Sequence, residues 1–197
     1  MGQTEMITIS TTDNAIINLS PQGDIINYGT EYFSERVQNY SRVEPFKGRV
    51  ELFTDRDDKA FTNKVRYIGR SSITYYASYE DSSLRGKIKT LGILNFTYYM
   101  PFDNEAEKGK IKSIGTNSFT YYSSFENKEL QGKLKSVGNT AITFYNSFED
   151  KALRGKLKSI GNVSFTYFPS WDRQSPGAMK TGNQMQNLVG GINYIIR

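Results

Sequence analysis

Residues 153–168 read "LRGKLKSIGNVSFTYF", and nearly the same words occur three times before them. Residues 130–145 read "LQGKLKSVGNTAITFY", residues 107–122 "EKGKIKSIGTNSFTYY" and residues 84–99 "LRGKIKTLGILNFTYY". Gly69, Gly92, Gly115, Gly138 and Gly161 stand 23 residues apart. Gly86, Gly109, Gly132 and Gly155 keep the same interval, with Asn63 in the slot before Gly86. A fixed period of this length marks a repeat architecture. Five units begin at Asn63, Gly86, Gly109, Gly132 and Gly155, and they share the pattern G-K-[IL]-K-S-[IV]-G-x-x-x-[FI]-T-[YF]-[YF]-x-S-[FYW]-[ED]-[DN]. A degenerate unit covers residues 40–62, because "VELFTDRDDKAF" (50–61) aligns with "ITFYNSFEDKAL" (142–153).

Within a unit, a period of two fits better than 3.6. "KLKSI" alternates and ends in Gly, and "FTYY" has the β-branched and aromatic composition of a strand. Residues 138–141 are short enough for a hairpin loop, and "EDKALRG" is the longer connection to the next unit. The chain is therefore expected to be all-β. It reads as an antiparallel meander of 23-residue β-hairpin repeats, an elongated sheet that is open or curled. A parallel β-helix ranks second, because strict alternation leaves no face purely apolar. In the last unit a four-residue turn sets Ile160 against Phe165, Lys158 against Tyr167, Ser159 against Thr166 and Leu157 against Phe168. Both faces then come out mixed, with lysine stems lying across rings. One hairpin is marginal alone, whereas stacked copies gain stability from each neighbour.

Three regions follow. Residues 1–39 hold short β-type runs, "EMITIS", "AIINL" and "DIINYG", separated by the turns "TTDN" and "SPQG". Residues 40–173 are the repeat array, regular from 63. Residues 174–197 are a tail in which "GINYIIR" (191–197) reads as a strand closing the open sheet edge. Pro101 and Pro169 should take their second strands out of ladder pairing.

The 197 residues carry 25 Lys+Arg against 20 Asp+Glu, a net charge of +5, which permits acidic partners without demanding them. With no Cys and no His, disulfides, Cys or His metal sites and a His general base are excluded. No metal or cofactor is expected. "MGQTEMITIS" has no basic stretch followed by an apolar run, and Met6 stands where a myristoylation signal wants Ser or Thr. No run approaches the ~18 apolar residues of a transmembrane helix, so the reading is cytoplasmic.

At "TYYSSFENKELQGKLKSVG" (120–138) the sequence resembles tyrosine-aspartate repeats of the RHS type, with an aromatic strand, an acidic turn, Gly, a basic residue and an aliphatic strand. Phe125-Glu126 and Phe148-Glu149 stand where that family has Tyr-Asp. The chain also resembles the single-layer β-sheet of spirochaetal outer-surface lipoproteins, with their exposed lysine-rich hairpins.

The candidate surface is a basic ladder: Lys64/Arg66, Lys87/Lys89, Lys110/Lys112, Lys133/Lys135 and Lys156/Lys158. It runs in step with Tyr75, Tyr98, Tyr121, Phe144 and Tyr167; Trp171 sits where earlier units have Phe or Tyr and reads as a larger cap on the last hairpin. Such a face presents itself to a protein partner or to further copies of the chain; the alternative is an extended polyanion, a glycan or an anionic lipid surface held by charge and stacking. Glu80, Asp81, Glu126, Glu149 and Asp150 recur at one turn. A catalytic carboxylate pair is unique, while a repeated acid is a turn or ion-pair device, so the expected role is structural and not enzymatic.

Overall fold

The computed structural model describes residues 6–31, 43–181, 187–189 and 192–195. The strands in chain order are β1 (Met6–Ser10), β2 (Ala15–Leu19), β3 (Ile25–Glu31), β4 (Val43–Glu44), β5 (Val50–Leu52), β6 (Val65–Ile68) and β7 (Ser71–Tyr75). They continue with β8 (Ile88–Leu91), β9 (Leu94–Tyr98), β10 (Ile111–Ile114), β11 (Asn117–Tyr121), β12 (Leu134–Val137), β13 (Thr140–Phe144) and β14 (Leu157–Ile160). The last are β15 (Val163–Ser164), β16 (Thr166–Tyr167), β17 (Met179–Thr181), β18 (Asn187–Val189) and β19 (Ile192–Ile195). The 23-residue units form one 11-stranded sheet, β5 to β15 in strict chain order, every pair antiparallel. The sheet is an open meander, not closed into a barrel.

Each hairpin turns on two residues, where a four-residue turn was expected. Gly115 opens one such turn at φ +58°, the left-handed region a two-residue hairpin requires at its first position. Ile114 therefore pairs with Asn117 and Ser113 with Ser118. In the last unit Ile160 meets Val163 and Ser159 meets Ser164, not Phe165 and Thr166.

The second correction concerns the faces. Between units the ladder slips by one residue: Ile111 pairs with Tyr98 and Ser113 with Thr97, leaving Lys112 as the extra residue of a β-bulge. Arg66, Lys89, Lys135 and Lys158 occupy the same bulge in their units. The bulge turns residues three apart to one side. Ile111 and Ile114 are both buried, as are Leu157 and Ile160, while the bulged lysine points out. With Phe96, Phe119, Ile142 and Phe165 from the return strands they form one apolar face, the opposite of the mixed faces that plain alternation implies. The long connections help to cover it: Leu130 is buried, and Leu84 and Leu153 pack against the same cluster.

The sheet is thus not a bare single layer. β1, β2 and β3 form a meander in a six-stranded sheet, and Ile7, Ile9, Ile17 and Leu19 join the repeat core. The N-terminal turns are tied to the array directly. The Pro21 carbonyl accepts from the Ile111 N–H at 2.8 Å, and Asp13 accepts from the Arg70 N–H at 2.5 Å. On the other side of β1 and β2, Thr8 donates to Asn18 (2.7 Å), and Asn18 to Asn27 (2.6 Å), which satisfies two fully buried polar side chains.

"GINYIIR" does not close the repeat sheet: β19 lies between β18 and β1, so the end of the chain pairs with its beginning. The repeat's register instead continues through β17. Tyr167 pairs with Met179 and Thr166 with Thr181, with Lys180 in the bulge slot. Pro101 leaves β9 a full five-residue strand, because it stands in the turn beyond it. Pro169 likewise follows its strand, and the break there falls earlier, at Phe165, between β15 and β16. Among the described residues no helix is long and apolar enough to cross a membrane.

Candidate functional site

The two lysines of each unit have different surroundings. Lys64, Lys87, Lys110, Lys133 and Lys156 precede their strands, and each ammonium lies 4.9–5.3 Å from a ring centre of its own unit: Tyr75, Tyr98, Tyr121, Phe144 and Tyr167. Lys87 also donates to the Gly109 carbonyl (2.9 Å) and the Gln22 carbonyl (3.1 Å), and Lys110 donates to the Gly132 carbonyl. Burial pushes the Lys87 ammonium below its ordinary pKa. The bulged lysines Lys89, Lys112, Lys135 and Lys158 are exposed and lie 5.2–5.3 Å from rings of the preceding unit, Tyr76, Tyr99, Tyr122 and Tyr145. Lys158 therefore sits over Tyr145, and Lys156 takes the expected place over Tyr167.

Three bulged lysines are also ion-paired at 2.7 Å, Lys89 to Glu80, Lys135 to Glu126 and Lys158 to Glu149. The other oxygen of each carboxylate accepts the N–H that opens the turn, from Ala77, Ser123 and Asn146. The lysine and turn hydrogen bonds hold Glu80 and Glu126 below the usual carboxylate pKa. In Glu149 burial works upward, but Lys158 and the Asn146 N–H outweigh it. The unit before Lys112 has Asp103 in this place, one methylene shorter, which still accepts the Met100 N–H, and Lys112 makes no ion pair among the described residues.

Tyr98, Tyr121 and Tyr167 do not offer faces for stacking. Tyr75, Tyr98, Tyr121, Phe144 and Tyr167 are only 2–7% exposed. The hydroxyls of Tyr75, Tyr98 and Tyr121 donate to the carbonyls of Val65, Ile88 and Ile111 at 2.8–3.0 Å. The neighbouring Tyr76, Tyr99, Tyr122 and Tyr145 bond a carbonyl of the following unit at 2.9–3.1 Å and meet its buried ring edge-on. The lysine–tyrosine ladder is thus a lattice that fastens unit to unit.

The outward aromatics are a different set. Tyr79, Phe102, Phe125, Phe148 and Trp171 stand 23 residues apart and are 79–93% exposed. Each is the third residue of a tight turn whose fourth N–H returns to the first carbonyl, as in Glu126 to Ser123 and Asp172 to Pro169. Arg56 holds the same position in the degenerate unit, where Asp57 returns to Thr54. The preceding serine is tied to the loop before it. Asp58 accepts from Ser78, Asn104 donates to Ser124, Asn127 donates to Ser147 and Asp150 accepts from Ser170, at 2.8–3.0 Å. Pro101 removes this link at Phe102. Of the row, only Trp171 was singled out from sequence. The signal for the others is a ring outside the strand, after Ser (Pro at Phe102) and before an acid that closes a turn.

A cleft of about 270 Å³ between residues 23–28 and the first regular unit is lined by Asp24 and Lys64 but by no second carboxylate. The recurring acids all have structural partners: Asp81 takes the Ser83 N–H and hydroxyl, and Asp150 the Ala152 N–H. No protein-family model, no curated protein and no solved structure matches the chain.

Proposed function

We propose that the protein is a non-enzymatic scaffold that presents the row from Tyr79 to Trp171 to a protein partner. The observation that carries this reading is five large aromatics, one per unit, held out at the same turn position. Five large aromatics left in water at one repeated position are apolar surface that a monomer rarely keeps without a use for it. The serine links fix the loops beforehand, so little ordering entropy opposes binding. Repetition of the acids in lysine pairs and turn closures also supports a structural role.

A photo-reactive phenylalanine analogue at Phe125 or Phe148, introduced in the cells that make the protein, should give a covalent protein adduct. The same group at Lys112 should give none. Adducts from Lys112 alone would overturn the reading. An extended polyanion, glycan or anionic lipid surface on the bulged lysines is the second reading, favoured by their exposure and by Lys112 lacking a carboxylate partner among the described residues. It expects salt-sensitive retention on heparin, lost when Lys89, Lys112, Lys135 and Lys158 are replaced by Gln.

A further inference from the structure

We infer that the occupant of the aromatic row is the same row of a second copy of this chain, laid antiparallel. The inference rests on the reading of the row as the working surface. Its first support is spacing. Each unit advances two strands, ~9.5 Å at the usual inter-strand distance. The interval between rings is therefore set by this fold, and a second copy carries the same interval along its whole length. A two-fold pairing is self-complementary, so one row serves as both surfaces.

The second support is area. An aromatic side chain buries ~150–250 Å². Five rings exposed to 79–93% offer about 850 Å² per copy. That is close to the ~800 Å² per partner of a stable standard-size interface.

The third support is charge. The loop of Phe102 carries Asp103, Glu105 and Glu107 against Lys108 alone. The loop of Phe148 exposes Lys151 and Arg154, while its acids Glu149 and Asp150 are engaged by Lys158 and Ser170. Parallel rows would set like loops together, acid on acid. Antiparallel rows bring the loop of Phe102 to that of Phe125, where Glu126 is engaged by Lys135 and exposed Lys128 offsets Glu129, and the loop of Tyr79, with Glu80 and Asp81, to the Lys151 and Arg154 of the Phe148 loop. Full overlap of the six turn positions also sets Arg56 of one copy against Trp171 of the other, a cation–π pair. Tyr79 then faces Phe148, and Phe102 faces Phe125.

Sedimentation velocity and light scattering of the full chain over a concentration series test this. A monomer–dimer equilibrium is expected. Phe125→Asp should raise its dissociation constant by ~30-fold or more, as for a central hot spot present on both copies. Lys112→Gln should leave it unchanged. Because the chain has no cysteine, Tyr79→Cys and Phe148→Cys report direction through a short bismaleimide. A linked dimer should form only when the two variants are mixed. Monomer at every concentration overturns the inference, as do links within either variant alone. A Phe148 photo-adduct with a different protein also overturns it, yet leaves the aromatic row as the working surface. Phe125→Asp must keep its circular dichroism; Phe125→Ser serves if it does not.

Discussion

Phe119 and Phe125 lie six residues apart in one unit, in opposite surroundings. Phe119 is 1% exposed in the repeat core and Phe125 is 92% exposed at a turn tip. Phe119→Ala removes a fully buried ring and leaves a cavity among packed neighbours, a loss of about 3–5 kcal/mol. Phe125→Ala removes nothing from the core and should stay within ~0.5 kcal/mol. At ~2–4 °C per kcal/mol for a chain of this size, Phe119→Ala should melt roughly 6–20 °C lower and Phe125→Ala within ~2 °C of the parent. The assay is urea and thermal denaturation by circular dichroism at concentrations where the chain is monomeric, since association adds to apparent stability. Phe119→Leu retains much of the volume and gives a smaller loss if the alanine variant does not fold. Equal losses at the two positions, or a loss above ~2 kcal/mol at Phe125, would refute the division into buried and presented aromatics.

An extra 23-residue copy inserted between Gly132 and Gly155 should fold cooperatively and lengthen the sheet by ~9.5 Å in solution scattering; loss of folding would rule out an open meander. Gly132→Ala should cost about 1–2 kcal/mol in urea, because φ is +75° and the new Cβ would lie 3.2 Å from the Ala106 carbonyl oxygen; an unchanged midpoint contradicts this. Glu80 and Glu126 titrate below their unfolded value, so their stabilisation is present above about pH 4.5 and is lost as pH falls through the lower folded pKa. Lys135→Gln should flatten that acid limb, measured as melting temperature against pH. Burial raises the Tyr75 and Tyr98 hydroxyls, so their contribution is full below about pH 10 and declines as pH rises beyond it. The part of the tyrosinate absorbance that the buried rings supply should then rise together with unfolding, and a gradual rise of the full tyrosine signal in folded protein would contradict it.

The repeat, its period and its antiparallel hairpins were legible in the residues themselves. Glycines at fixed intervals mark backbone positions that need positive φ, and Asn63, at φ +62°, fills one such slot as the spacing implied. The alignment that carried the unit back to Val50 also holds in space: the Phe53 N–H meets the Lys64 carbonyl as Tyr145 meets that of Lys156. Alternation could not reveal the bulge at Arg66, Lys89, Lys112, Lys135 and Lys158. A bulge is a relation between two strands, and it leaves no mark in the period of either one. Missing it mixed the faces, placed Tyr98, Tyr121 and Tyr167 on the surface, and hid the inward pairing of Ile111 with Ile114. The same limit applies to β19, whose partner β1 lies at the other end of the chain. Which aromatic is buried and which is presented was likewise a tertiary decision. Tyr121 and Phe125 have similar side chains, but one lies in a strand against the core and the other at the tip of a turn held by Ser124 and Glu126.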